Sequence, residues 1–222
     1  MKIFSNAKPK VLVCVLTGVE RHNWINPALS GHLMRMARDT RFDVDYFPVQ
    51  DCRPVESARN MTVSAARQLN ADWLLSFDND NFLPGQVNPL DIIAAAGEDK
   101  HVIGLSYGVG NTEEYKIFPA ANHHSTDGAF REVECVGGGV LMVRNTVWQR
   151  IKKGPWFRWQ HVESETLAPA PGVRGEDGYF CHLVRQHGIK VWTHREMLAG
   201  HYRTTDLTGM VCTMSQLGKR IA

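Results

Sequence analysis

The sequence has no C-x-x-C pair, and its five cysteines, Cys14, Cys52, Cys135, Cys181 and Cys212, are odd in number and widely spaced. That argues against a disulfide framework and against a structural zinc site, and leaves reduced thiols in a cytoplasmic protein. No apolar run nears the ~20 residues that cross a bilayer. The opening MKIFSNAKPK carries charge but no long apolar stretch behind it, so neither a membrane partner nor export is expected. Excess charge is also scarce, since 25 Lys and Arg against 23 Asp and Glu leave a formal +2. Such a balance is too mild to name a polyanionic partner, although a local basic patch could still bind one. The patterns G-x-x-x-x-G-K-[ST], G-x-G-x-x-G after the first strand, H-E-x-x-H and G-x-S-x-G do not occur. Phosphate-loop, dinucleotide, zinc-protease and serine-hydrolase signatures are therefore missing. His182 and His187 are five apart and cannot share a helix face, while His123 and His124 fall in an aperiodic stretch expected to be loop. There is no internal repeat and no low-complexity segment.

What is present is ordinary globular material. The chain has 222 residues, 43% of them hydrophobic and 22% charged, enough for one large core and a single domain over 1–222. The run KVLVCVLT at 10–17 predicts a strand covered on both faces. Residues 27–38 place Leu29, Leu33, Met34, Met36 and Ala37 at helical spacing. Residues 42–49 alternate as a strand, and 54–69 form a Pro-initiated helix with Val55, Ala58, Met61, Ala65 and Leu69 on one stripe. A third strand at 72–77, a short helix at 89–96 and a strand at 102–107 continue the alternation. Repeated β-α-β order predicts an α/β sandwich with a mostly parallel central sheet. The second half is less regular. Residues 113–127 lack a period, 130–143 read as strand on either side of Gly137, Gly138 and Gly139, and 146–152 as helix. The stretch 152–174 reads as a long loop, 176–187 as a helix ended by Gly188, and 189–193 as a last strand.

The third strand ends in FDND, with Asp78 and Asp80 one residue apart. In an extended segment residues i and i+2 point the same way, so both carboxylates can converge at the carboxyl end of a central strand, where open α/β sheets bind ligands. Two carboxylates held together repel unless a cation lies between them, and oxygen ligands suit magnesium, manganese or calcium. An Asx-rich turn accounts for DNDNFLPG as well. An EF-hand is excluded, because Phe82, Leu83 and Pro89 occupy positions that need an oxygen ligand, a glycine and a glutamate.

The stretch ESARNMTVSAARQLNADWLLSFDND resembles the core of the GT-A glycosyltransferases: an Arg-Asn pair on a helix, a spacer, an apolar strand and the D-x-D motif. CVGGGVLMVR, GEDGYFCHLVRQHGIKVW and AGHYR extend the resemblance in the same order, so that it covers most of the chain. It implies a GT-A fold and transfer of a sugar from a nucleotide-diphosphate sugar, UDP-linked by preference, with the help of Mn2+ or Mg2+. By the same resemblance Asp80 would coordinate the ion, Asp78 would touch the donor ribose or the metal, and His201 would complete the metal shell. Arg59 could neutralise phosphate or fix the base, and Asn60 could bond the nucleotide. Thr17, Gly18 and Glu20 follow the first strand, where this fold holds the nucleoside, and Gly138 and Gly139 would lie near the donor sugar and acceptor. Glu176 and Asp177 open a helix, where carboxylates also cap; in inverting members the matching Asp is the general base, here Asp177 with Glu176 in reserve.

For the acceptor, RIKKGPWFRWQH interleaves Lys152, Lys153 and Arg158 with Trp156, Phe157 and Trp159. Cations that meet phosphates and rings that stack on bases suit nucleic acid, as in the small viral DNA-modifying glycosyltransferases that this compact chain also resembles. Rings also stack on saccharides or pack in cores, so DNA and saccharide acceptors both stand. Two alternatives to sugar transfer stand beside these, a nucleotidyltransferase on a related scaffold and a binding module without turnover.

Overall fold

The computed structural model describes residues 7–17, 25–83, 85–110, 115–118, 123–159 and 175–201. In chain order the elements are β1 (Lys10–Thr17), α1 (Pro27–Ala37), β2 (Asp43–Gln50), α2 (Val55–Gln68), β3 (Trp73–Asp78), β4 (Asn81–Phe82), α3 (Pro89–Ala95), β5 (Val102–Gly110), β6 (Tyr115–Phe118), β7 (His123–Asp127), β8 (Phe130–Val133), β9 (Val140–Arg144), α4 (Asn145–Arg150), α5 (Glu176–Gln186) and β10 (Val191–His201). The strands form one sheet in the order β2-β1-β3-β9-β5-β10-β8-β7, with β4 added on β10 and β6 on β5. β2, β1, β3, β5 and β10 run one way, and β9 runs against its neighbours β3 and β5. The expected α/β sandwich with a mostly one-directional central sheet is what the chain forms.

The period of two in β1 accounts for the layering. Leu12, Cys14 and Leu16 enter one core with Ala58, Val63 and Ala66 of α2, Trp148 of α4, and Phe180 and Val184 of α5. Val11, Val13 and Val15 enter the other with Leu29 and Met36 of α1 and Leu90 and Ile93 of α3. A strand buried on both faces needs apolar residues at every position, and β1 supplies them. The helix starts are chemically marked. Asn26 and Asn88 accept from the N–H groups of Ala28 and Leu90 at 2.8 and 3.1 Å, each ahead of a proline at the first helical position. Gly188, at φ 70°, ends α5 in the left-handed region.

Two stretches differ from expectation. Residues 113–127, expected as loop, contain β6 and β7, and β7 turns into β8 through Gly128 at φ 57°. The described side chains of β7 are exposed, so it has no apolar face to alternate. β10 runs eight residues beyond Thr193, to His201, across a register shift between Thr193 and Leu198. The extension carries polar residues with no regular alternation. Its end pairs with β4, matching His201 to Asn81 and Gly200 to Phe82. Among the described residues no helix is long and apolar enough to cross a membrane, and Cys14, Cys52, Cys135 and Cys181 are free thiols.

Candidate active site

β1 and β3 are parallel neighbours, so Thr17 and Asp78 finish at the same edge of the sheet. The start of α2 faces them. Between them lies a cleft of about 400 Å³, lined by Leu16, Thr17, Arg53, Pro54, Asp78 and Asp80 among others. Past Asp78 the chain turns. The Asn79 N–H donates to Leu16 O at 3.0 Å and its carbonyl accepts from Asn26 N–H at 3.2 Å, which stitches the turn to β1 and to the start of α1. The next residues return as β4.

Across that turn the two carboxylates meet different partners. Asp78 faces Arg59, whose Nη2 lies 3.1 Å from its Oδ2, whereas Asp80 faces His201, with Nε2 and Oδ2 3.3 Å apart. The alternation that would align i and i+2 stops where β3 stops. Of the expected trio of Asp78, Asp80 and His201, Asp78 is bound to arginine and Asp80 is paired with the imidazole, while both carboxylates line the same cleft. Among the described residues no group of three His, Cys, Asp or Glu is gathered for a metal ion.

Arg59, 4% exposed on the inner face of α2, organises one half of the site. Its Nε donates to Glu176 Oε1 at 3.0 Å, Nη1 to Gly138 O at 2.9 Å and Nη2 to Asp78 Oδ2 at 3.1 Å. Burial opposes its charge, but Asp78, Glu176 and Asp177 more than compensate and hold the guanidinium firmly protonated. Asp78 is raised above the usual carboxylate range by burial and by Asp80, against the pull of Arg59. The glycine run makes room for this chain's own side chains. A Cβ on Gly138 would collide with the Arg59 guanidinium, and one on Gly139 would stand 2.7–2.8 Å from the Asn81 amide. The sequence had pointed to a ligand at these two positions; the structure puts Arg59 and Asn81 against them.

Glu176 and Asp177 open α5. Glu176 is buried and held by Arg59. Asp177 is half-buried, accepting from Gly178 N–H at 2.7 Å through Oδ1 and from Gly138 N–H at 3.3 Å through Oδ2. Burial first, and then the charge of Glu176, raise its proton affinity above that of an ordinary aspartate. Tyr107, at the edge of the same site, was missed in the sequence. Its ring meets His201 edge-on, centroids 5.2 Å apart at 73°, and burial with the charges of Asp177 and Asp78 keeps its phenol protonated. A lone aromatic within an apolar strand reads as core, so only the end position of Tyr107 in the expected strand could have signalled it.

Other expected residues fall elsewhere. Thr17 is buried in the cleft wall, its hydroxyl 3.5 Å from Val49 O, and Gly18 and Glu20 lie outside the described residues. Asn60 is a correction: its Nδ2 donates to Glu56 O and Phe157 O, both at 2.7 Å, and its Oδ1 accepts from Trp156 and Phe157 N–H at 2.9 and 3.2 Å. Two donors and two acceptor sites are thus spent on the chain itself, leaving none for a nucleotide. Trp156 is a second correction, buried against Trp148 with its Nε1 on Ile151 O at 2.9 Å and so withdrawn from any acceptor. Lys152, Lys153, Arg158 and Trp159 are exposed, and the Arg158 guanidinium lies 5.7 Å over the Tyr179 ring, next to the start of α5.

No family model matches the sequence, and no curated protein matches it. Solved structures do match. The protein A197 from STIV aligns at 16% identity and TM-score 0.59 over 87% of this chain and 86% of its own. The mannosyltransferase PcManGT from Pyrobaculum calidifontis, solved with GDP-Man and Mn2+, aligns at 11% identity and TM-score 0.51 over 96% of this chain and 65% of its own. A UDP-glucose pyrophosphorylase, solved with UDP-glucose, aligns at 9% identity and TM-score 0.50 over 96% of this chain and 99% of its own. At such identities the likeness is one of fold, and the fold of this chain is a GT-A-like α/β sandwich.

Proposed function

We propose that the chain is a glycosyltransferase that moves a sugar from a nucleotide-diphosphate sugar, UDP-linked by preference, to an acceptor hydroxyl. The observation that carries the proposal is the pairing of Asp80 with His201 beside a cleft at the carboxyl ends of β1 and β3. Oxygen and imidazole donors together suit manganese, and magnesium tolerates them. The Asp80 carboxylate and the His201 imidazole lie 3.3 Å apart, close enough for one ion to be held by both. Asp80 and His201 would hold the ion and leave its remaining positions to water and phosphate. When bound, a divalent ion supplies Lewis acidity toward the departing diphosphate.

The chain's own groups divide the remaining work. Arg59 fixes Asp78 and Glu176 as a pre-set charge array. Asp78 then meets the donor ribose. Glu176 is tied to Arg59, so Asp177 takes the acceptor proton, and its raised proton affinity suits that task. For the acceptor, exposed Lys152, Lys153, Arg158 and Trp159 suit either DNA bearing hydroxymethylpyrimidine bases or a saccharide, with Trp159 available for stacking on either.

The test is incubation with Mn2+ and a panel of nucleotide-sugars, reading nucleoside diphosphate release with and without acceptor. Release that depends on the metal and on one donor supports the proposal. The likeness to a pyrophosphorylase over nearly both whole chains favours a nucleotidyltransferase as the second reading. Pyrophosphate released from a nucleoside triphosphate and a sugar 1-phosphate, with no transfer to an acceptor, would establish that reading instead. Donor binding with neither product would mark a module without turnover.

A further inference from the structure

We infer that Asn81 is a positioning residue for the cation ligands, one that binds a single oxygen of Asp80 and so presents the other to His201; this rests on Asp80 and His201 holding the ion. Asn81 is 1% exposed. Its Nδ2 donates to Asp80 Oδ1 at 2.9 Å, while Asp80 Oδ2 is the atom 3.3 Å from His201 Nε2. The other end of the amide is an anomaly: Asn81 Oδ1 is fully buried and has no hydrogen-bond partner. A buried amide that served only packing would bond at both ends or give way to an apolar side chain, because an orphaned acceptor is destabilising. Turning the amide over would set oxygen against the Asp80 carboxylate. Its orientation is therefore held by the contact to Asp80.

Three further features fix the amide in place. Gly139 packs on the face of the amide, where a Cβ would stand 2.7–2.8 Å from its Oδ1, Cγ and Nδ2 atoms. The backbone of Asn81 is matched to His201 in the β4–β10 pairing, so one residue aligns both ligands, Asp80 through its side chain and His201 through its backbone. Phe82 covers Gly200, where a Cβ would collide with its ring. With Oδ1 engaged, Asp80 offers the ion one oxygen, a monodentate geometry that suits small octahedral cations. Calcium accepts bidentate carboxylates and larger shells.

The test titrates Mn2+ alone, without nucleotide, into wild type and into the Asn81→Leu, Asn81→Ala and Gly139→Ala variants, following free Mn2+ by electron paramagnetic resonance, with competition by Ca2+. Thermal unfolding is measured alongside. Asn81→Leu removes the orphaned carbonyl but also the donor to Asp80, a gain and a loss that should largely offset in Tm, while Mn2+ binding weakens by about 10–100-fold. Ca2+ should gain on Mn2+ as Asp80 becomes free to bind through both oxygens. Gly139→Ala, which displaces the amide by pressing on its face, should change binding in the same direction, and Asn81→Ala serves if Asn81→Leu fails to fold. Wild-type Mn2+ binding with folded variants that match it within twofold would overturn the role of Asn81 and leave the metal pair standing. Absence of Mn2+ binding in wild type would overturn the metal pair, and the inference with it.

Discussion

At the scale of single residues, Arg59 separates structural from chemical roles. It is buried, and so is its partner Glu176, so truncation to Ala leaves a carboxylate without its cation in the interior, a loss of about 3–5 kcal/mol that urea denaturation would detect. Asp80→Ala removes a polar side chain that lines the cleft and accepts from the buried Asn81 amide. It should abolish Mn2+-dependent binding of a nucleoside diphosphate by calorimetry, at a cost in stability of about 1–3 kcal/mol from the unpaired amide. Asp177→Asn should lower transfer by about 10²–10⁴-fold while sparing donor affinity. The sign of its effect on stability follows from the raised proton affinity of Asp177. A carboxylate whose pKa is higher folded than unfolded binds more protons in the folded state, so its contribution becomes unfavourable as pH rises from its ordinary 3.8 through the raised value. Asp177→Asn should therefore be more stable than wild type at neutral pH, and that gain should vanish below the ordinary aspartate range, as paired thermal melts at pH 7 and pH 3 would show.

At the scale of elements, α2 presents adjacent residues to different neighbours. Successive helical positions point about 100° apart, so Arg59 reaches the strand ends while Asn60 binds the backbone of Trp156 and Phe157. Asn60→Ala leaves those buried N–H groups unpaired, at about 1–3 kcal/mol. Limited proteolysis should then cut nearer to Trp159 than in wild type. These two residues also mark how far the sequence could be read. The helix, its stripe and the apolar β3 were legible because burial imposes a period. So were the residue types of the site: an arginine, strand-end carboxylates, a glycine run, a helix-opening Asp and a late histidine. The partners were not, because Asp78 and Asp80 take different partners across a turn held by contacts with β1 and the start of α1, and Asn60 is directed by a loop nearly 100 residues away. The end of β10 stayed hidden for a related reason. Its last residues, His201 among them, are held by pairing with β4 and carry no periodic apolar face.

At the scale of the whole molecule, the formal charge of +2 hides an exposed cationic segment in Lys152, Lys153 and Arg158. Changing all three to Ala should weaken binding to hydroxymethylpyrimidine DNA and flatten its dependence on salt, measured by fluorescence anisotropy at low and raised salt. Unchanged binding would favour a saccharide acceptor. The bonds of Arg59 bear on how the molecule assembles. Those to Glu176 and Gly138 join residues 117 and 79 positions apart, whereas β1, β2 and β3 are consecutive in the chain and neighbours in the sheet. Closing long loops costs more entropy than pairing sequence neighbours, and contacts of that kind slow folding. The β1–β3 half, with Asp78 only 19 positions from Arg59, should therefore gain structure first and Arg59 should find Glu176 last. In stopped-flow refolding, far-UV circular dichroism should recover ahead of the capacity to bind Mn2+.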